Sequence, residues 1–279
     1  CTPVARQPAV NHKWNFRLTT MIPKECVRLY RKLSCKLRHL LSAYLFPLLR
    51  PVISIPHIPH RCALCDSKSP QRICEPCQQQ FLYTPQYQCS VCALPLAHSA
   101  LLCGGCLQKM PDYDRVYSPY LYQAPLSHLI MRFKQQGDFF AGQALADLWC
   151  DAIKQHMTQQ HIPLPDMVTA IPLHWRKQGR RGFNQSAFFA SIIHKRLNIP
   201  LFTHVKRTES APEQKHLDRK QRLKNLKHSF TVTSPLNNMH VAIIDDVMTT
   251  GATVDAMTTA LKKAGAGKVS VWVLARVPK

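Results

Sequence analysis

Two adjacent carboxylates, Asp245 and Asp246, stand between an apolar run and a turn of small, hydroxyl-bearing residues. The apolar run, Val241–Ile244, is short and rich in β-branched residues, which is typical of a strand buried on both faces of a parallel sheet. The turn consists of Thr249, Thr250, Gly251, Ala252 and Thr253. This order predicts a strand, then the carboxylates at its carboxyl end, where open α/β sheets bind ligands.

These residues could bind a sugar phosphate. Backbone N–H groups at the start of a helix favour an anion, so we expect turn 249–253 to hold a monophosphate. Carboxylate oxygens suit a diol or hydrated Mg²⁺, so we expect Asp245 and Asp246 to bind sugar hydroxyls or magnesium. The alternative is an acidic turn and a capped helix without a ligand. No G-x-x-x-x-G-K-[ST] sequence occurs, which excludes a Walker A site.

Eight of the twelve cysteines form four C-x-x-C pairs between residues 62 and 106. Paired C-x-x-C sequences at regular intervals indicate tetrahedral zinc and a reducing compartment, although disulfides remain the alternative. We assign two structural Zn²⁺ ions sequentially, and the spacing alone leaves interleaved pairing open. The two predicted ligand sets are Cys62, Cys65, Cys74 and Cys77, and then Cys89, Cys92, Cys103 and Cys106.

Apolar patterning after the cysteines predicts an α/β fold that positions the acidic pair. A helix should follow the turn, with Val254, Met257 and Leu261 on its apolar face and Gly265 at its end. We expect strands 230–232 and 269–274 to complete the sheet around the acidic strand. The other predicted strands span 116–122, 167–171, 230–232 and 269–274, and the other predicted helices span 126–133, 140–153 and 187–197.

The composition favours a polyanionic partner. The 279 residues are 46% hydrophobic, which allows a substantial core, and 37 Lys and Arg against 15 Asp and Glu give a net charge of +22. Such an excess suits nucleic acid, phosphorylated ligands or anionic membranes. The longest apolar cluster, residues 40–49, contains Pro47 and is too short to span a bilayer. We therefore expect no transmembrane segment and a cytoplasmic location.

Three regions are expected along the chain. Residues 1–60 form a basic extension and a proline-containing linker, in which Met21 is the expected natural start. Residues 21–49 form either a basic amphipathic helix or a loosely ordered extension. Residues 61–110 carry the cysteine pairs, and residues 111–279 carry the α/β pattern.

The string I-I-D-D-V-M-T-T-G-A-T resembles the phosphoribosyl pyrophosphate (PRPP) motif of type I phosphoribosyltransferases. The string R-R-G-F-N-Q-S at 180–186 resembles the ComF group, including its GntX-like members. This resemblance covers roughly residues 61–279. It implies a type I phosphoribosyltransferase core with a Rossmann-like parallel sheet, preceded by a double zinc ribbon. It also implies binding of PRPP with Mg²⁺.

The resemblance also assigns two loops. The loop after strand 167–171 corresponds to the pyrophosphate loop, and its cations suit a pyrophosphate; we expect it to act through Pro172, Leu173, His174, Arg176 and Lys177. The basic segment 206–225 lies where type I enzymes carry a flexible hood, and it could equally contact a nucleic-acid backbone. The residues expected in the hood or DNA contact are Arg207, Gln214, Arg219, Arg222 and Lys224.

Three functions fit these features. The first is a transferase that moves ribose 5-phosphate from PRPP to an acceptor, which the sequence does not identify. The second, which we favour, is a ComF-type protein of DNA uptake or utilisation that binds PRPP and single-stranded DNA, with other DNA-uptake proteins as further partners. The third is a regulator that responds to PRPP without DNA.

Overall fold

The computed structural model describes residues 60–173, 179, 181–207 and 229–278. These residues belong to one compact unit. Among the helices of these ranges, none is long and apolar enough to cross a membrane. The described part includes the paired cysteines, the acidic pair and the turn that follows it.

The centre of the molecule is a parallel sheet of five strands. They are β5 (Arg115–Tyr117), β6 (Tyr120–Leu121), β7 (Met167–Ala170), β10 (His240–Met248) and β11 (Lys268–Arg276). Their order is β5-β11-β10-β7, and β6 also pairs with β11. The acidic strand β10 is longer than predicted, because β11 pairs with it as far as Met248, beyond the acidic pair.

Alternate residues of β10 build two hydrophobic cores, one on each face of the sheet. Ala242 and Ile244 pack with helices α3 (Leu126–Gln136), α4 (Phe139–Gln159) and α5 (Gln185–Leu197). Val241 and Ile243 pack with helix α6 (Ala252–Lys263) on the other face. Burial on both faces explains why the acidic strand begins as an unbroken apolar run.

Two strand predictions were wrong. Segment 230–232 is a strand, β9 (Phe230–Val232), but it pairs antiparallel with β8 (Val205–Arg207) in a separate two-stranded sheet. Predicted strand 116–122 is interrupted at Ser118 and Pro119, which separate β5 from β6. Proline has no backbone N–H for the sheet, so the break follows from the sequence.

The cysteine-rich region forms two ribbons that are continuous with these cores. Each ribbon has a two-residue hairpin and a short helix that begins after a cysteine. Cysteines of the first ribbon join the core of α3, α4 and α5, whereas those of the second join the core of α6. The elements are β1 (His60–Arg61), β2 (Lys68–Ser69), α1 (Glu75–Phe81), β3 (Tyr87–Gln88), β4 (Pro95–Leu96) and α2 (Gly104–Gln108).

Candidate functional site

The eight paired cysteines form two clusters of four, grouped in the sequential order. Within each cluster the four sulfur atoms lie within 4.8 Å of one another. The Sγ atoms of Cys65 and Cys74 are 3.7 Å apart, and those of Cys92 and Cys103 are 3.6 Å apart. A tetrahedron with Zn–S bonds of about 2.3 Å has edges of about 3.8 Å, so both clusters fit a structural zinc ion.

The acidic pair occupies β10 beside residues from two helices. The Ser186 hydroxyl donates a hydrogen bond to Asp245 Oδ1 at 2.8 Å, and the Asp246 backbone N–H donates to the same oxygen at 3.0 Å. Lys134 Nζ, in the last turn of α3, lies 2.9 Å from Asp246 Oδ2. Both side chains of this ion pair are largely buried, with 18% and 8% of their surfaces exposed.

The surroundings of Asp245 favour its protonated form. Loss of hydration and the neighbouring Asp246 carboxylate raise the pKa of Asp245 to about 7, against the hydrogen bond from Ser186 and the charge of Lys134. A pKa near neutral pH means that the two adjacent carboxylates are not both fully ionised without a further cation. The pair is therefore a natural place for a divalent cation or for sugar hydroxyls.

The turn after β10 has a conformation that requires glycine. Gly251 has φ +85°, and a Cβ atom there would lie 2.5 Å from Cε of Met248. The backbone N–H of Asp255 bonds to the Gly251 carbonyl, which starts α6. The N-cap residue Gly251 has no side chain to cap the helix, and the Ala252 N–H donates to Thr250 Oγ1 at 3.4 Å. Thr249 and Thr250 are exposed. The start of α6 can therefore offer N–H groups and hydroxyls to an anion.

Arg276, at the end of β11, joins this turn to the second ribbon. Its side chain is 2% exposed. One Nη atom donates to the carbonyls of Met248, at 2.8 Å, and of Thr249, while Nε donates to the Cys92 carbonyl at 3.1 Å. Among the described residues no carboxylate forms a salt bridge with this guanidinium. A buried positive charge is thus bonded directly to the turn.

The first ribbon has a similar contact on the other side of the sheet. Arg132 Nη1 donates to the carbonyl of Ala63, between the first two zinc-ligand cysteines, at 3.2 Å. The same guanidinium pairs with Asp138, whose side chain also accepts a bond from the N–H of Ala141 and caps α4. The C-x-x-C turn of each ribbon therefore holds an arginine that fixes an element next to the acidic pair.

Two known domain families match separate parts of the chain. A double zinc ribbon domain matches residues 57–110, and a phosphoribosyl transferase domain matches residues 184–279. The "Competence protein F" of Haemophilus influenzae is 35% identical over 208 residues, which cover 73% of this chain and 90% of that protein. The chain belongs to the ComF family. Its fold is the type I phosphoribosyltransferase fold with an N-terminal zinc-ribbon domain.

Two further ComF relatives extend over similar lengths. The "DNA utilization protein YhgH" of Escherichia coli K12 is 35% identical over 205 residues, covering 73% of this chain and 90% of that protein. The "Competence protein ComFC" of Bacillus subtilis is 25% identical over 236 residues, covering 77% and 94%. The match therefore includes the ribbons and the core together.

The structure describes only part of the two loops that the ComF resemblance assigned. Pro172 and Leu173 are half-buried after β7, and Arg207 ends β8 with its guanidinium 5.4 Å from the centre of the Phe230 ring. Burial lowers the pKa of Arg207 from its usual value. The remaining predicted residues of these loops lie outside the described residues: His174, Arg176, Lys177, Gln214, Arg219, Arg222 and Lys224.

Three residues of the site were missed in the sequence. Lys134, Ser186 and Arg276 contact the acidic pair or the turn from distant positions in the chain. Ser186 lies within the ComF-like string but had no role assigned, and Arg276 lies two residues beyond the predicted strand 269–274. One sequence signal could have indicated Lys134. It is a lysine in the last turn of an apolar helix that ends at Gly137.

We predict two zinc ions per chain, because eight sulfur atoms form two closed tetrahedral sets. Elemental analysis of protein purified without chelator should give this stoichiometry, and Cys65→Ser with Cys74→Ser should remove one equivalent. Cys150→Ser is the matched control, since Cys150 is a buried cysteine of α4 that belongs to neither group of four sulfur atoms. A zinc content near zero, with disulfides detected by mass, would contradict the metal and the reducing compartment.

Replacement of Arg276 should loosen the turn and the second ribbon together. Arg276→Met removes this donor from all three carbonyls, and those of Cys92 and Thr249 lose their partner, whereas Met248 keeps its bond from the Val277 N–H. Each buried unpaired group costs about 1–3 kcal/mol. We expect the free energy of unfolding to fall by about 2–5 kcal/mol and hydrogen exchange to accelerate in residues 89–92 and 248–253. Arg132→Met is the control and should accelerate exchange around Ala63 instead. Equal exchange at the turn in both variants would refute the Arg276 contact.

Proposed function

We propose that this chain binds Mg²⁺-PRPP at the carboxyl end of β10 and handles single-stranded DNA in DNA uptake or utilisation. The observation that carries the PRPP half is the acidic pair, followed after a short turn by the start of a helix, with the buried Arg276 bonded to the carbonyls of that turn. Acceptors for hydroxyls or magnesium and donors for a phosphate occur together, in the order that a ribose 5-phosphate needs.

Each group of PRPP has a partner in this arrangement. Asp245 and Asp246 accept hydrogen bonds from the ribose hydroxyls, and turn 249–253 holds the 5-phosphate through its N–H groups and threonine hydroxyls. The donor set fits Mg²⁺, because carboxylate oxygens are the ligands that this hard cation prefers. The loop that starts at Pro172 and Leu173 would hold the pyrophosphate, and the acidic pair would hold its magnesium. Magnesium supplies charge neutralisation of the pyrophosphate.

Lys134 has a specific part in this proposal. It compensates the charge of Asp246 in the free protein, where a buried carboxylate without a partner would be costly. With Asp246 engaged by magnesium or a ribose hydroxyl, the Lys134 ammonium group would be available to a phosphate oxygen. The flexible stem of lysine allows this exchange of partners.

The DNA half rests on charge and on the relatives. Two ComF relatives are named for competence and one for DNA utilization. The net charge of +22 gives the phosphate attraction that sequence-independent binding requires. We therefore propose that the cationic segments contact the phosphate backbone of single-stranded DNA and have little preference among bases.

Retained transfer chemistry is the second candidate. The observation that favours it is the intact acidic pair with its buried counter-ion, since stabilisation of separating charge is the main catalytic task in such a transfer. Incubation with labelled PRPP and a panel of bases, followed by product analysis, distinguishes transfer from binding alone. The contacts of the site do not identify the acceptor of the ribose 5-phosphate group.

Loss of both carboxylates should weaken PRPP binding without unfolding the protein. We expect Asp245→Asn with Asp246→Asn to lower the affinity for Mg²⁺-PRPP at least about tenfold, because each lost charged hydrogen bond costs roughly 1.5–3 kcal/mol. Calorimetry measures the affinity, and circular dichroism checks the fold. Asp151→Asn is the control, since its side chain is 75% exposed and belongs to α4. Unchanged affinity in the double variant would reject this site.

Single-stranded DNA binding should depend steeply on salt. If roughly five phosphates are neutralised, the slope of log K against log salt should be about −3.5, because phosphate contacts release counterions. Replacing Arg219, Arg222 and Lys224 with Gln should flatten this slope. Fluorescence anisotropy with labelled oligonucleotides, with and without Mg²⁺-PRPP, measures both. Binding that is absent, independent of salt, or abolished by stoichiometric PRPP would show that these cations do not serve DNA.

A further inference from the structure

An open cavity lies away from the acidic pair, at the β5 edge of the sheet. Its volume is about 330 Å³, and it is lined by the second ribbon, the β5–β6 break and the C-terminal part of α4. The sheet order β5-β11-β10 places the edge strand two strands from the acidic strand. A cavity of this size is at the lower end of the range for small organic ligands.

The lining of the cavity is rich in side-chain amides and has no carboxylate. Gln88, Gln155 and Gln159 line the cavity together with Arg115, and Cys89 of the second cysteine cluster lines it as well. Gln88 donates to the carbonyl of Ser118 at 2.9 Å, so its position is fixed. The side chains of Gln155 and Gln159 have no hydrogen-bond partner among the described residues, and both residues are exposed. Two side-chain amides are therefore available to a ligand.

Aromatic rings form one wall of the cavity. The Tyr117 ring stacks on the His156 imidazole with 4.3 Å between ring centres and 23° between planes. The Tyr117 hydroxyl donates to the carbonyl of Ala152 at 2.8 Å, which fixes the ring against α4. Burial and the charge of Arg115 lower the pKa of His156, so this wall is uncharged at neutral pH. Tyr83, beside the lining residue Thr84, has 48% of its surface exposed.

We propose that this cavity is a subsite for a nucleobase of single-stranded DNA. The inference rests on the DNA half of the proposed function and adds where a base binds. A side-chain amide both donates and accepts, so Gln155 and Gln159 can pair with the edge of any base by turning about one bond. Flat aromatic surfaces suit a base, and the guanidinium of Arg115 suits the phosphate next to it.

The position of the cavity has a consequence for binding. Because it lies at the edge strand and the acidic pair lies on β10, a DNA base and Mg²⁺-PRPP occupy different places on one chain. The two ligands should therefore bind together. The Gln155–Gln159 subsite should also distinguish a strand from a free nucleotide, since the flanking phosphates of a strand have the surrounding positive charge to contact.

Gln155→Glu tests the subsite with a matched control. The substitution keeps the size of the side chain but places a carboxylate at the cavity, so oligo(dT) affinity by fluorescence anisotropy should fall about tenfold, the loss expected for one base contact. Gln80→Glu makes the same charge change at an exposed position of α1 and should leave the affinity within about twofold, as for surface charges. Equal losses in both variants would overturn the subsite.

Crosslinking locates the base directly. An oligonucleotide with 5-iododeoxyuridine, irradiated on the full chain with saturating Mg²⁺-PRPP, should crosslink within residues 83–90, 115–120 or 152–159, as read by mass spectrometry. Crosslinks confined to other segments would overturn the subsite and leave the proposed function standing. Equal competition by free thymidine monophosphate would also overturn it. Failure of the oligonucleotide to bind at all would refute the DNA half of the proposed function together with the subsite.

Discussion

The buried guanidinium of Arg276 is the contact on which the arrangement of the site depends. It holds the carbonyls of Met248 and Thr249, where β10 ends, and the carbonyl of Cys92 in the second ribbon. Backbone carbonyls at this depth must be paired, and here a single side chain pairs three of them. The turn that precedes α6 therefore cannot be placed without both the last strand and the second ribbon.

The ribbons consequently have a structural task beyond holding zinc. Arg132 bonds to Ala63 in the first ribbon and fixes the junction of α3 with α4, from which Lys134 reaches the acidic pair. Small ribbons of this kind have too few apolar residues to fold without metal, so zinc binding stabilises them. In this protein the C-x-x-C turns that would bind zinc also accept hydrogen bonds from Arg132 and Arg276. These two arginines position the acidic pair and the turn after β10.

The elements that could be predicted from the sequence are those with local signals. The run Val241–Ile244, the small residues after it and the regular cysteine pairs each specify a structure through their immediate neighbours, and the zinc clusters and the buried strand follow from them. The ion pair between Lys134 and Asp246 joins residues more than a hundred positions apart, so no local pattern indicates it. Strand β9 was misplaced for a related reason, because three apolar-alternating residues do not specify which strand they pair with.

Calorimetry of three ligands tests the central claim that the end of β10 is a ribose 5-phosphate site. Mg²⁺-PRPP, ribose 5-phosphate and Mg²⁺-pyrophosphate are titrated separately into the full chain. The account predicts that Mg²⁺-PRPP binds most tightly and that ribose 5-phosphate still binds, because the acidic pair and the turn recognise the sugar and its phosphate. No binding of Mg²⁺-PRPP, or pyrophosphate binding as tightly as PRPP while ribose 5-phosphate does not bind, would contradict it.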